Sequence, residues 1–142
     1  MRMSEAEARS RLERAEFGVL GTRDADHGVH LVPVVFVFDG GRLIVPIDTV
    51  KPKSTTRLRR LENLEVEPRA SLLVDERHDD WSRLWWVRVD LTFLGSAQPT
   101  PAEVTLLAEK YPQYSDAKAV PLMLAFETSQ ATGWMAERPG PA

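Results

Sequence analysis

The chain has 142 residues, 43% of them hydrophobic and 27% charged, with a formal net charge of −3 and no cysteine. These values are typical of one globular domain, so we expect residues 1–142 to form a single domain, and the lack of cysteine excludes disulfides, thiolate metal sites and cysteine nucleophiles. No apolar run approaches the about 18–20 residues of a membrane-spanning helix and the N-terminus has no apolar signal-peptide core, which predicts a cytoplasmic protein with no membrane partner.

The first half of the chain predicts one helix followed by antiparallel hairpins. Ser4 and Glu7 fit a capping box, which begins an N-terminal helix within residues 1–15. Segments rich in β-branched residues then predict strands at 17–22, 29–38 and 42–47. Residues 24–28 and 39–41 contain the glycines and aspartates that favour the turns between these strands.

The second half predicts two further helices and three strands. Ser54 is the expected N-cap of a second helix, which carries Leu58, Leu61 and Leu64 on its inner side and ends before Pro68. Thr100 and Glu103 form another capping box for a third helix that ends at Tyr111. Strands are predicted at 69–75, 83–94 and 121–128, and residues 137–142 are expected to form a flexible tail.

Six strands and three short helices predict a mainly β (α+β) fold. Tight turns join antiparallel strands, so the pattern excludes a doubly wound parallel sheet. Pro33 and Pro46 lie inside two predicted strands and mark an edge, a bulge or a bend, because proline cannot donate to a strand ladder. Strands of this kind favour an antiparallel barrel with an open side.

A basic segment, residues 51–60, interrupts a chain that is otherwise acidic. It has five basic residues and no acidic one, against thirteen basic and twenty-one acidic residues elsewhere. The overall acidity predicts no nucleic-acid partner. The basic segment nevertheless places cations and hydroxyls around the predicted start of the second helix, where they suit a phosphate or a carboxylate. These residues are Lys51, Lys53, Ser54, Thr55 and Arg57. Arg59 and Arg60 extend this positive field. The alternative is a solvated basic helix face.

Two other features, Trp86 and the loop around His78, contain residue types that occur in binding and metal sites. Trp86 alternates with Arg88 and Asp90 on the polar face of its strand, where it either lines a cleft and stacks on a planar ring or, with Trp81 and Trp85, fills a dimer core. His78 lies in an acidic loop, residues 76–80, that can be drawn as a metal site. Such loops are usually solvated, so we expect no metal there and name no catalytic acid or base.

Residues 16–114 resemble the pyridoxamine-phosphate-oxidase-like split β-barrel flavoproteins of the FMN-binding type. The resemblance is carried most specifically by the segments KPKSTTRLRRL (51–61) and DDWSRLWWVR (79–88), and less so by the hairpin at 18–48. It is greatest to the actinobacterial branch (FDOR-B type) that uses coenzyme F420, a deazaflavin, instead of FMN. Many relatives have Asp-Gly after the WVRV motif, whereas this chain continues with Asp90 and Leu91.

The resemblance implies a homodimer that binds a cofactor between its barrels and moves a hydride to or from a small-molecule substrate. The implied phosphate-binding residues are Lys51, Lys53, Ser54 and Arg57, and the implied ring-contacting residues are Pro33, Val34, Val35, Ile47, Asp48 and Trp86. Cations beyond those that one phosphate needs favour coenzyme F420, whose tail carries carboxylates, over FMN. The alternatives are an FMN-dependent pyridoxamine-phosphate-oxidase-like enzyme and a non-catalytic protein that binds a flavin, a deazaflavin or haem.

Overall fold

The computed structural model describes residues 1–47, 58–115, 120 and 122–136. Within these ranges the chain forms three α-helices and eight strands, with two short 3₁₀ turns at Trp81–Arg83 and Pro112–Tyr114. The helices are α1 (Glu5–Arg14), α2 (Arg59–Val66) and α3 (Pro101–Lys110). The strands are β1 (Gly18–Asp24), β2 (Gly28–Val34), β3 (Val37–Asp39), β4 (Arg42–Ile47), β5 (Arg69–Glu76), β6 (Trp85–Ala97), β7 (Leu122–Thr128) and β8 (Thr132–Met135).

The strands form one antiparallel sheet that curls into a barrel. Their order is β2-β1-β5-β6-β7-β4-β3, and β8 pairs with the first part of β6. The two edge strands, β2 and β3, are consecutive in the chain and only Val35 and Phe36 connect them. Because three residue steps span at most about 11 Å, the end of β2 and the start of β3 must lie close together, which curls one edge of the sheet towards the other. The expected antiparallel split β-barrel with short flanking helices is confirmed.

The predicted segment 29–38 is two strands rather than one. The ladder stops after Val34 and resumes at Val37, and the buried Phe36 between them bonds through its N–H to the hydroxyl of Tyr111. The chain therefore turns at Val35–Phe36 from one edge of the barrel to the other, and a side chain distant in sequence takes the place of the ladder. Strand β8 was not predicted, because its four residues include a glycine and give little alternation.

The second helix begins later than its capping signal predicts. Leu58 is the N-cap residue of α2, and its aliphatic side chain makes no capping hydrogen bond. Ser54 therefore cannot be the N-cap of this helix. The prediction of its inner side is confirmed, since Leu64 is buried and Leu58 and Leu61 pack against the same core.

Alternation along the strands fills the barrel. On β6, Val87, Val89 and Leu91 are buried while Arg88, Asp90 and Thr92 are exposed, as the period of two predicts. Inward residues of β1, β4, β5 and β7 complete this core, and α1 adds Ala8 and Leu12. Gly95, with φ 131°, lies at a register shift between β6 and β7, where the strand bends.

The outside of the barrel has two different faces. The outer face of β3, β4 and β7 is covered by α3, which packs Leu107 and Tyr111 onto Val37, Ile44 and Met123; we call this the covered face. The outer face of β2, β1, β5 and β6 has no such cover among the described residues, and Val29, Leu31 and Leu73 are exposed on it. We call this second surface the bare face.

Candidate functional site

The bare face forms an open groove of about 1270 Å³. Its lining comes mostly from outward positions of β2, β1, β5 and β6, with Glu67 before β5 and the end of β7 at its margins, so the sheet register largely decides which side chains meet there. A volume of this order exceeds the few hundred to about 1,000 Å³ typical of small-molecule pockets. The groove is therefore large enough for a flat, multi-ring ligand.

The floor of the groove is apolar. Val19 on β1, Leu31 on β2 and Leu73 on β5 line it, and the side chains of Leu31 and Leu73 remain exposed, at 66% and 40%. Gly21 keeps the floor flat, since a Cβ atom at that position would lie 3.3 Å from the Leu31 side chain. Exposed aliphatic side chains on neighbouring strands indicate a surface made for an apolar partner or ligand.

Charged side chains of both signs line the edges of the groove. They are Arg23, Glu67, Arg69, Arg88, Asp90 and Glu127. Arg69 donates to the Glu67 carboxylate, and these hydrogen bonds lower the pKa of Glu67 below its ordinary value. Ser71 Oγ donates to Asp90 Oδ1 at 3.0 Å, which orients that carboxylate. The Arg88 guanidinium lies 5.4 Å from the centre of the Trp86 ring.

The register brings two of the predicted site residues to the bare face. Pro33 pairs with Val19, Val19 with Leu73, and Leu73 with Arg88, so these four share one row across the sheet. Trp86 pairs with Asp75 and Trp134 in the next row of outward residues. Pro33 and Trp86 therefore lie on the same side of the barrel, in adjacent rows, although 53 positions separate them in the sequence.

The other predicted ring-contacting residues are placed differently. Val34 and Ile47 are buried in the barrel core, and Val35 packs against the cluster under α3. Their side chains face away from the groove, which leaves their backbone groups for any ligand contact. Asp48, Lys51, Lys53, Ser54 and Arg57 lie outside the described residues.

Arg59 has a structural partner. Its Nε lies 3.5 Å from Oδ2 of Asp24, a nearly buried carboxylate that also accepts hydrogen bonds from the N–H groups of Asp26 and His27. The bond from Asp26, with help from the Arg59 charge, lowers the pKa of Asp24. The interpretation of Arg59 as a surplus cation for a ligand tail is therefore corrected: it pairs with Asp24 at the end of β1.

The acidic loop around His78 also has internal partners. Glu76 accepts a hydrogen bond from the Trp85 indole at 2.6 Å and lies 3.0 Å from His78 Nε2, and the Trp85 bond is the main cause of a lowered Glu76 pKa. Asp80 caps the 3₁₀ turn by accepting from Ser82. Within the described ranges no three His, Asp or Glu side chains gather as a metal site would need. In the same ranges, no helix is long and apolar enough to cross a membrane.

The exposed residues of β2, Val29 and Leu31, are not among the predicted site residues, although the sequence contains a pattern that indicates them. Residues 29–38 are apolar almost without interruption, a pattern typical of strands covered on both faces. Among the described residues, nothing covers the outer face of β2, so Val29 and Leu31 are left exposed. The chemistry of the groove, an apolar floor with cationic and aromatic groups beside it, fits a planar ring system with anionic substituents.

The sequence profile of pyridoxamine 5'-phosphate oxidase matches residues 4–132. The chain belongs to this family. No protein with a curated description matches the sequence.

Three solved structures show how widely this family's fold is shared. A conserved hypothetical protein from Mycobacterium tuberculosis has a TM-score of 0.72 at 20% identity, with 99% of this chain and 91% of that chain covered. The haem storage protein HutZ from Vibrio cholerae has a TM-score of 0.65 at 19% identity, covering 95% of each chain. An F420 reductase has a TM-score of 0.61 at 18% identity, covering 86% of this chain and 93% of that one.

Proposed function

We propose that this protein is a homodimeric oxidoreductase that binds coenzyme F420 in the groove of the bare face and exchanges a hydride with a small-molecule substrate. The observation that carries the proposal is the groove itself, which has an apolar floor and basic side chains at its edges and lies on the same face of the barrel as Pro33 and Trp86. Family membership and the similarity in fold to an F420 reductase support it.

A second copy of the chain is the proposed cover of the groove. A twofold dimer places the same surface against itself, so its charges must be of both signs and its centre apolar. The groove meets both conditions: Val19, Leu31 and Leu73 form the centre, and three arginines and three carboxylates line the edges. We expect an interface above about 2,000 Å², which is typical of obligate dimers.

The protein's own contribution is binding, orientation and the exclusion of water. When bound, the deazaflavin ring supplies the hydride chemistry. The floor residues and the second copy exclude water from the ring, and Trp86 offers an aromatic face for stacking. Lys51, Lys53, Ser54 and Arg57 are proposed to hold the phosphate, and the positive charge of these three cations that the phosphate does not neutralise is proposed to attract the carboxylates of the coenzyme tail.

An FMN-dependent enzyme remains the nearest alternative, and a haem-binding protein is the alternative from another class. The described lining of the groove contains no His, Met, Cys or Tyr, the side chains that usually ligate haem iron. His30 pairs in register with the buried Thr22, so it belongs to the row of inward-facing side chains. This composition favours a flavin-type ring over haem.

Calorimetry with coenzyme F420 and with FMN, at low and high salt, tests the assignment. We expect coenzyme F420 to bind more tightly, with a difference that shrinks as salt rises, because exposed charge pairs are screened. Equal or tighter binding of FMN at low salt would assign the site to FMN. Oxidation of reduced coenzyme F420 by candidate acceptors then distinguishes an enzyme from a cofactor-storage protein.

Lys53→Ala tests the proposed phosphate site. Loss of a charge-assisted hydrogen bond is expected to weaken cofactor binding by about 1.5–3 kcal/mol. Lys118→Ala, which removes a lysine outside the basic segment, is the matched control and should bind the cofactor as the wild type does. Equal affinities for the wild type and Lys53→Ala would support the alternative that the segment is a solvated helix face.

A further inference from the structure

The connection between β2 and β3 is held by two side chains from the end of α3. Phe36 is fully buried, and its N–H and C=O lie outside the strand ladders, so both groups need other partners. Tyr111 Oη accepts from the Phe36 N–H at 3.2 Å, and Lys110 Nζ donates to the Phe36 carbonyl at 2.9 Å. The Lys110 ammonium also lies 4.2 Å from the centre of the Phe36 ring.

Tyr111 joins three parts of the chain at one atom. Its hydroxyl lies 2.7 Å from the carbonyl oxygen of Glu16, just before β1, and 3.0 Å from that of Phe36, and its proton can be donated to either. Burial raises the pKa of this hydroxyl to about 12, so it stays protonated at neutral pH. A continuous strand would not need a buried hydroxyl at this place. The side chain of Tyr111, at the end of α3, therefore determines the shape of the connection.

The connection lies beside the site described above. Pro33 is on the bare face, Val34 enters the core and Val35 packs against the α3 cluster, so the chain passes from one outer face to the other within these residues. Any movement at Phe36 would therefore be transmitted directly to Pro33 and to the backbone of Val34 and Val35. These three residues were predicted to contact the cofactor ring.

We propose that Tyr111 and Lys110 are positioning residues that fix the Val35–Phe36 connection and thereby hold Pro33–Val35 in place for the cofactor ring. This inference rests on the proposed function. The end of α3 then influences the affinity for the cofactor and the environment of the bound ring, although no residue of α3 lines the groove. Neither residue touches the reacting atoms.

Tyr111→Phe is the direct test, since it removes the hydroxyl and keeps the ring. We expect faster hydrogen exchange at the Phe36 amide, about tenfold weaker binding of coenzyme F420 or FMN, and a shifted absorbance spectrum of the bound ring. Lys110→Met should move binding in the same direction by a smaller factor, because the Tyr111 bond to the Phe36 N–H remains. Faster exchange alone would show only a structural role, so the spectrum is the decisive readout.

Leu107→Val is the matched control, because it loosens the same helix against the same cluster and keeps the Tyr111 hydroxyl. It should lower the unfolding temperature while binding affinity and the bound spectrum stay as in the wild type. Wild-type affinity and spectrum in Tyr111→Phe, or an equal loss of affinity in Leu107→Val, would overturn the positioning role alone. If the wild type binds neither coenzyme F420 nor FMN, the proposed function fails and the positioning role fails with it.

Discussion

The covered face and the bare face belong to the same curled sheet, and both present aliphatic side chains to the outside. On the covered face, Val37, Ile44 and Met123 are 4% exposed or less because α3 packs onto them. On the bare face, Val29 and Leu31 are 70% and 66% exposed. Full burial of one such side chain contributes about 1.5–3 kcal/mol, so a ligand or a partner that covers the bare face would gain free energy of this order for each side chain.

The difference between the faces also concerns polar groups. On the covered face, the buried hydroxyl of Tyr111 and the half-buried ammonium of Lys110 are hydrogen-bonded to backbone groups of the same chain. On the bare face, Arg88 and Asp90 point outward and remain exposed, although neighbouring side chains orient them. We infer that the covered face stabilises the fold and that the bare face is the surface for binding.

The largest expected effect is the loss of the dimer when a charge is placed on the bare face. Leu31→Glu puts a carboxylate at the centre of the proposed interface, where it would be buried without a partner. We expect a monomer at micromolar concentration by light scattering, and a free energy of unfolding of the monomer changed by less than about 0.5 kcal/mol, because Leu31 is exposed in the single chain.

Val66→Glu is the matched control for this experiment. Val66 is 78% exposed at the end of α2 and is absent from the groove lining, so the same change of chemistry should leave the dimer intact. If the Leu31→Glu protein is still a dimer, the bare face is not the dimer interface. A wild-type protein that is a monomer at micromolar concentration would remove the dimer itself, and with it the two-subunit cofactor site.

The second prediction compares leucine truncations on the two faces by chemical denaturation. Leu107→Ala deletes a buried side chain under α3 and should lower the free energy of unfolding by about 2–5 kcal/mol. Leu73→Ala, measured in the monomeric Leu31→Glu background, should change it by less than about 0.5 kcal/mol. Similar losses for the two truncations would show that the two faces do not differ in their contribution to the stability of the single chain.

Features encoded locally were predictable from the sequence. Thr100 and Glu103 form both bonds of the capping box, at 3.1 and 2.8 Å, because all the groups involved lie within four residues. Ser4 likewise accepts from the Glu7 N–H at 3.2 Å. The Glu7 carboxylate, however, bonds to Arg11 one turn later, so only the Ser4 half of that box is confirmed.

Features that depend on distant partners were not predictable. The break at Val35–Phe36 is fixed by Tyr111, 75 residues away from Phe36. The local sequence contains Pro33, which indicates an edge or a bend but does not place the break at Val35–Phe36. The pairing of Arg59 with Asp24 depends on how α2 packs against β1. In the site, the period of two placed Trp86 correctly with Arg88 and Asp90, but only the sheet order shows that Pro33 lies on the same face.

The smallest expected effect is a pH dependence that arises on the covered face. Burial lowers the pKa of Lys110 to about 8, while the carboxylates of Glu16 and Glu13 oppose the shift and the neighbouring Tyr111 hydroxyl stays neutral. Between about pH 8 and the ordinary value of 10.5, the unfolded chain binds more protons at this residue than the folded chain does. The contribution of Lys110 to the free energy of unfolding therefore rises with pH across this window.

Lys110→Met removes this ionisable group, so the difference in stability between the wild type and the variant reports the titration of Lys110 separately from that of the other groups. In urea denaturation, the wild type should gain stability relative to Lys110→Met between pH 7 and pH 9.5, by about 1 kcal/mol, because solvent screens the half-buried ammonium. Arg42→Met is the control, because it also removes a cation, an exposed one that pairs with Glu103 near the start of the same helix. The wild type should not gain stability relative to this variant over the same pH range. If the difference in free energy of unfolding between wild type and Lys110→Met is the same at both pH values, Lys110 is hydrated in solution. The covered face would then be less tightly closed around Phe36 than the 2.9 Å bond from Lys110 to the Phe36 carbonyl indicates.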